Sequence, residues 1–92
     1  MEASPVGDFD QLKAAGAQLV DVRTPAEFGQ GNVPGSVNIP LDQLQLRVAE
    51  IDPGRPVIVF CASGGRSGIA KQFLEREGCR EVHNGGAWTN LL

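Results

Sequence analysis

The residues whose chemistry stands out in this sequence form one short segment, CASGGRS at positions 61–67. It contains a thiol (Cys61), two glycines (Gly64 and Gly65) and a guanidinium (Arg66), and we call it the cysteine loop. Glycines let successive backbone N–H groups turn towards one point, because they adopt dihedral angles that other residues avoid. A ring of N–H donors binds an anion and favours thiolate over thiol. The segment therefore indicates a nucleophilic sulfur that holds negative charge.

The cysteine loop lies where a buried strand gives way to a helix. The preceding run PVIVF at 56–60 is apolar and rich in β-branched residues, which is typical of a strand covered on both faces. The residues after the loop place apolar side chains at helical spacing as far as Gly78, a typical helix end. Ligands of α/β sheets bind beyond the carboxyl ends of strands, and a helix N-terminus adds partial positive charge. This position favours a functional site.

The other segments alternate between strand and helix patterns. In the first half of the chain we expect a helix from Asp8, its N-cap, to Gly16, a strand at 18–22, and a helical turn capped by Thr24 with Pro25 in its first position. An extended segment at 37–39 and a helix at 41–51 should follow. After the cysteine loop and its helix we expect a strand at 79–83, a turn at 84–86 and a helical turn at 87–92. This alternation predicts an α/β fold with a small, parallel-stranded central sheet flanked by helices. We expect one domain covering residues 1–92.

The composition excludes several classes of partner. The 92 residues carry a formal net charge of -3, and phosphate backbones bind basic faces, so we expect no nucleic acid partner. The sequence has no apolar run long enough to span a membrane, and we expect no membrane association. The first twelve residues lack the basic and apolar regions of an export signal, which predicts a cytoplasmic location.

The two cysteines are too few and too isolated for a disulfide framework or a zinc site. We therefore expect no metal and no cofactor. Cys79 follows a helix end and has no donor-rich loop around it, so it is interpreted as structural. Only Cys61 has the surroundings of a reactive thiol.

Four separated segments resemble the rhodanese family of sulfurtransferases. They are LVDVRTPAEF, GQGNVPGSVNIP, VIVFCASGGRSGIA and GCREVHNGGAW, in the family's order and spacing, and they cover most of residues 19–88. One departure is Asn32 in GNVPGS, where the family often has histidine. Asparagine can make local backbone hydrogen bonds, so we expect the turn to be retained.

The resemblance implies a thiosulfate sulfurtransferase with Cys61 as its catalytic nucleophile. Cys61 would take the outer sulfur of a small anionic donor such as thiosulfate, become a persulfide, and pass the sulfur to cyanide or to a thiol, including the thiol of a protein. The remaining residues of the cysteine loop would bind the substrate: Ala62, Ser63, Gly64, Gly65, Arg66 and Ser67.

Two other functions remain open. One is a binding module that keeps the scaffold and docks a partner protein, either through a persulfide or without catalysis. The other is a cysteine phosphatase or arsenate reductase; the related phosphatases have five residues between cysteine and arginine, whereas four separate Cys61 from Arg66 here. The shorter loop suits a single sulfur atom better than a tetrahedral phosphate.

Several polar residues outside the cysteine loop need an interpretation. Asp21 and Arg23 end the first strand, where they could lock a turn, orient the loop or pair with Glu27. His83, the only histidine, is interpreted as structural rather than as a general base. Ser67 is a candidate cap of the helix after the loop, and the hydroxyl groups of Ser63 and Ser67 could donate to a bound anion.

Overall fold

Four parallel strands form the centre of the molecule. The computed structural model describes the backbone of residues 6–92 and the side chains from Phe9 onward. The strands are β1 (Gln18–Asp21), β2 (Val37–Asn38), β3 (Val57–Cys61) and β4 (Val82–Ala87), and they lie in the order β2-β1-β3-β4. The predicted α/β class with a small parallel sheet is therefore confirmed.

Helical segments cover both faces of this sheet. They are α1 (Val6–Ala14), α2 (Pro25–Gln30), α3 (Leu44–Arg47) and α4 (Gly65–Arg76), with 3₁₀ turns at Leu41–Gln43, Val48–Glu50 and Trp88–Leu91. Among the described residues the longest helix is α4, with 12 residues. Across residues 6–92, no helix has the length and apolar character needed to cross a bilayer.

The central strand β3 supplies the core of both layers, because successive side chains of a strand point to opposite faces. Val57 and Val59 join a cluster that includes Ala70 and Leu74 of α4. Ile58 and Phe60 face the other way, into a cluster completed by Phe9 of α1, Val33 and Leu91. All five residues of β3 are buried, as its continuous apolar run predicts. The strand is thereby held rigidly up to its last residue, Cys61.

The helix predicted at 41–51 is wrong as one continuous α-helix. The segment consists of a 3₁₀ turn, the single α-turn α3 and a second 3₁₀ turn. The apolar side chains in it occur at steps of three, four and three residues, and a 3₁₀ turn repeats at three residues where an α-turn repeats at nearly four. This mixed repeat keeps Leu44 and Ile51 buried, with Leu41 and Val48 packed against the same core.

The turn predicted at 84–86 is also wrong, because these residues belong to β4. The strand starts at Val82 rather than Cys79, and Val59 pairs with Asn84 while Phe60 pairs with Gly86. Gly85 is therefore the extra residue of a β-bulge. A Cβ atom at Gly85 would lie 2.7 Å from Leu91 Cδ2 and 3.1 Å from Ile58 Cγ2, so the bulge needs glycine for close packing.

Helix ends follow the sequence signals in most places. Thr24 caps α2 in a reciprocal capping box with Glu27, and Pro25 takes the first position, as predicted. Gly78 follows α4 with a φ of 97°, in the left-handed region that glycine tolerates. Helix α1 is described over Val6–Ala14, so Asp8 lies inside the helix instead of before it; the Asp8 side chain lies outside the described residues.

We expect the Gly85→Ala substitution to lower the free energy of unfolding by about 1–3 kcal/mol, because the new methyl group would overlap Leu91 and Ile58. Gly29→Ala is the matched control. Gly29 lies in α2 with nothing within 4 Å of its added Cβ, so alanine should stabilise the protein by about 0.5–1 kcal/mol. Urea unfolding of both variants checks this, and equal effects would contradict the packing assigned to the bulge.

Candidate active site

The sulfur of Cys61 lies at the carboxyl end of β3, inside the turn that leads into α4. The backbone N–H of Gly64 donates to Cys61 Sγ at 2.9 Å, and that of Ser67 donates at 3.4 Å. Cys61 is only 1% exposed, so the sulfur forms the floor of the cysteine loop. Two of its polar contacts are thus with N–H groups, which suit a negative sulfur.

Gly64 makes this arrangement possible. It is the N-cap of α4 and has a φ of 103°, in the left-handed region that residues with a Cβ rarely adopt. With this backbone conformation its N–H points back at the sulfur three residues earlier. A Cβ at this position would also lie 3.4 Å from the Cα of Gly86, in contact with the bulge of β4. Glycine is thus required at position 64 chiefly for its φ.

The expectation that Ser67 caps α4 is wrong. The helix begins at Gly65, and Ser67 lies inside its first turn. Its hydroxyl oxygen lies 2.7 Å from Asn84 Oδ1, 3.1 Å from the carbonyl oxygen of Gly64 and 3.5 Å from Cys61 Sγ. Ser67 is fully buried, so it belongs to the immediate surroundings of the sulfur.

These contacts shift the ionisation of Cys61. Burial raises the pKa of the thiol, because it disfavours the charged form. A hydrogen bond with the Ser67 hydroxyl, and then hydrogen bonds from the N–H groups of Ser67, Ser63 and Gly64, act in the opposite direction. Their combined effect prevails, so the pKa of Cys61 lies below its ordinary value.

Arg66 does not bring an unpaired positive charge to the loop. Its Nη1 and Nη2 atoms lie 2.8 Å and 3.0 Å from the two carboxylate oxygens of Glu27 in α2. Both side chains are about one-third exposed, at 35% and 36%. Hydrogen bonds from Arg66, and then from the backbone N–H of Thr24, lower the pKa of Glu27 to about 2. The pair therefore stays ionised across the physiological pH range.

An open depression lies beside Arg66. Its volume is about 330 Å³, and it is lined by Val22, Thr24, Pro40, Leu41, Asp42 and Arg66. Arg66 connects this depression to the cysteine loop, whereas Cys61 lies outside its lining. The walls are largely apolar, and Asp42 and Arg66 are the charged residues among those that line it.

Asp21 and Arg23 pair with each other, so the possible pairing of Arg23 with Glu27 is not observed. Arg23 Nη2 lies 2.8 Å from Asp21 Oδ2 and also donates to the carbonyl oxygen of Gly31 at 2.7 Å. The guanidinium lies 4.6 Å from the centre of the Trp88 ring. Both charged residues are buried, and they lock the chain at the carboxyl end of β1, beside the end of β3.

The remaining predicted residues do not contact the sulfur through their side chains. Ala62, Ser63 and Gly65 are exposed on the outside of the cysteine loop. His83 Nε2 lies 2.7 Å from Glu81 Oε2, away from the contacts of the sulfur. Cys79 is buried, and its burial raises the pKa of its thiol, in contrast to Cys61. Among the residues whose side chains are described, no cluster of three or more histidine, cysteine or acidic residues could hold a metal ion.

Two residues near the site were not recognised as such from the sequence. Glu27 was considered only as a partner of Asp21 or Arg23, and its pairing with Arg66 joins positions 39 residues apart. Asn84 was assigned to a turn, yet it contacts Ser67 and accepts a hydrogen bond from the N–H of Gly86 at 2.9 Å. The register of β4 against β3 would have revealed it, because Asn84 pairs with Val59.

Known proteins include relatives with similar sequences. The chain is 48% identical over 68 residues to YqhL of Bacillus subtilis, which is described as uncharacterized; the match covers 74% of this chain and 54% of YqhL. It is 38% identical over 79 residues to the thiosulfate sulfurtransferase PspE of Escherichia coli, covering 84% of this chain and 76% of PspE. The chain thus spans about half the length of one relative and three-quarters of the other.

A solved structure shows the same fold. The structure described as a rhodanese with anions from E. coli superposes with a TM-score of 0.75 at 36% sequence identity, over 80% of this chain and 89% of that one. The family model of the rhodanese-like domain matches residues 6–87. That range contains all four strands and the whole cysteine loop. The chain therefore belongs to the rhodanese-like domain family.

Proposed function

We propose that this protein is a sulfurtransferase that moves sulfane sulfur from thiosulfate, or a similar anionic donor, to cyanide or a thiol through a persulfide on Cys61. The observation that carries the proposal is the convergence of the Gly64 and Ser67 N–H groups on Cys61 Sγ. The names of its sulfurtransferase relatives support the same reaction class. A cytoplasmic location stays a prediction.

In the first half-reaction the Cys61 thiolate attacks the outer sulfur of thiosulfate. A bond forms between Cys61 Sγ and that sulfur, the sulfur–sulfur bond of thiosulfate breaks, and sulfite leaves with the electron pair. The negative charge then lies on the terminal persulfide sulfur, where N–H groups of the cysteine loop can stabilise it. Arg66 would bind the departing sulfite, and to do so it must give up part of its contact with Glu27.

In the second half-reaction the acceptor attacks the terminal sulfur. With cyanide, a carbon–sulfur bond forms, the persulfide bond breaks, and the electron pair returns to Cys61 as thiolate. The same N–H groups then stabilise the leaving thiolate, so one set of donors serves both halves of the cycle. No general base is needed once the thiolate exists.

Incubation with thiosulfate should make the intact protein one sulfur atom heavier, and cyanide should then remove that mass. Cys61→Ser should lose both changes, because it lacks the nucleophile. Cys79→Ser is the matched control and should retain both, because Cys79 is remote from the N–H donors that define the loop. Failure of the unmodified protein to gain sulfur would favour a binding module instead of an enzyme.

Alkylation by iodoacetamide should distinguish the two thiols by pH. A lowered pKa means that Cys61 remains a thiolate at pH values where an ordinary thiol is protonated, so its midpoint should lie below that of a free cysteine. Cys79 provides the internal control, because burial raises its pKa and its midpoint should lie higher. Peptide mass spectrometry follows each site. Coincident midpoints would contradict stabilisation of the thiolate by the loop.

Glu27→Gln should lower the KM for thiosulfate by about threefold to tenfold with little change in kcat. The substitution frees Arg66 for the dianion, and the partial exposure of the pair keeps the gain modest. Glutamine at this position can preserve the capping box with Thr24.

The matched control for this variant is Glu75→Gln, which breaks the exposed ion pair with Lys71 at the far end of α4. It removes the same charge from the protein and should leave KM unchanged. An unchanged KM in Glu27→Gln would mean that Arg66 does not contact the donor. Steady-state thiocyanate formation measures both variants.

A further inference from the structure

The hydroxyl group of Ser67 has one proton and three oxygen or sulfur atoms that compete for it. The distances from its oxygen are 2.7 Å to Asn84 Oδ1, 3.1 Å to the carbonyl oxygen of Gly64 and 3.5 Å to Cys61 Sγ. Ser67 has no exposed surface, so solvent does not contact its hydroxyl group. A hydroxyl can donate only one hydrogen bond at a time, so only one of the three atoms receives it.

The orientation of the Asn84 amide decides where the proton lies. The N–H of Gly86 points at Oδ1 of Asn84 at 2.9 Å, and an N–H can donate only to the oxygen end of the amide. The amide nitrogen faces the carbonyl oxygen of Gly64 at 3.4 Å, which agrees with this assignment. Because an amide oxygen cannot donate, Ser67 must be the donor in the 2.7 Å contact. The hydroxyl oxygen then offers a lone pair to Cys61, which donates its S–H.

This arrangement fits a neutral thiol and not a thiolate. Once the sulfur loses its proton to solvent it can only accept hydrogen bonds, and the Ser67 hydroxyl must rotate to donate to it. We propose that Asn84 is a positioning residue that holds the Ser67 proton while Cys61 is a thiol and releases it when the sulfur becomes negative. The rotation breaks no covalent bond, and the amide oxygen of Asn84 keeps the N–H of Gly86. The inference rests on the proposed function only in taking Cys61 as the reacting sulfur.

The proposed role of Asn84 depends on a hydrogen bond and not on the charges around the sulfur. The charged and titratable groups on the elements around Cys61 are Asp21 at the end of β1, Arg23 after it, Glu27 of α2, Asp42 of the 3₁₀ turn, Arg66, Lys71, Glu75 and Arg76 of α4, and Glu81 and His83 before and within β4. Asp21 pairs with Arg23, Glu27 pairs with Arg66, and Glu81 contacts His83. Substitution of the neutral Asn84 by alanine leaves every one of these charges in place. A change in the ionisation of Cys61 would therefore report the hydrogen bond.

The test compares two alanine variants by the pH dependence of iodoacetamide labelling at Cys61. Asn84→Ala should lower the midpoint by about half a pH unit, because the Ser67 hydroxyl no longer has to break its hydrogen bond to Asn84 before it donates to the thiolate. The effect is limited because water replaces the exposed amide. Ser67→Ala should raise the midpoint by about one pH unit, because the thiolate loses a donor. The double variant should match Ser67→Ala, because Asn84 acts only through that hydroxyl.

Asn90→Ala is the matched control. Asn90 donates its amide to the carbonyl oxygen of Gly85, so the variant loosens the same bulge without touching Ser67, and its midpoint should not move. Asn84→Ser should repeat the shift of Asn84→Ala and decides the matter if the alanine variant does not fold. An unchanged or raised midpoint in the folded Asn84 variant would overturn the inference.

The outcome is separable from that of the proposed function, because labelling does not depend on sulfur transfer. If Asn84→Ala moves the midpoint downward but thiosulfate adds no mass to the unmodified protein, the positioning role stands and the sulfurtransferase assignment fails. If the unmodified protein gains sulfur but the midpoints of the Asn84 variants stay where they are, the positioning role fails alone.

Discussion

The hydrogen bond from the Gly64 N–H to Cys61 Sγ is the interaction on which the rest of the site depends. It is 2.9 Å long and requires a left-handed residue at the start of α4, a conformation that glycine supplies. The sheet fixes the other end of this bond, because β3 is buried along its whole length up to Cys61. The fold thus joins a rigid strand end to a helix N-terminus, and the sulfur occupies the space between them.

Dipoles, and not net charge, dominate the surroundings of this sulfur. Arg23 and Arg66 are each paired with a carboxylate, while the N–H groups of Gly64 and Ser67 donate to the sulfur. Fixed dipoles need no rearrangement when charge develops, which suits the proposed alternation of Cys61 between thiolate and persulfide. In a protein of net charge -3, such local stabilisation also explains how an anionic donor could be accommodated.

The sequence predicts the features that depend on local signals. The buried strand before Cys61, the capping of α2 by Thr24 and the end of α4 near Gly78 each follow from neighbouring residues, and all three are observed. The resemblance of four segments to one family identified the fold as a whole.

Features that depend on distant pairing were missed. The NGG segment has the composition of a turn, but its pairing with β3 and the packing of Gly85 against Leu91 make it a bulged strand. Because of that error Asn84 was not predicted to lie near the sulfur; its contact with Ser67 joins residues 17 positions apart. Arg66 was expected to bind the substrate, and nothing near it in the sequence shows that Glu27 lies beside it.

A crystal structure of the protein after treatment with thiosulfate tests the central claim most directly. The account predicts one additional sulfur atom bonded to Cys61 Sγ, with backbone N–H groups of the cysteine loop pointing at the sulfur pair within hydrogen-bonding distance. A crystal in which Cys61 stays unmodified, or in which the N–H groups of Gly64 and Ser67 point away from the sulfur, would contradict it.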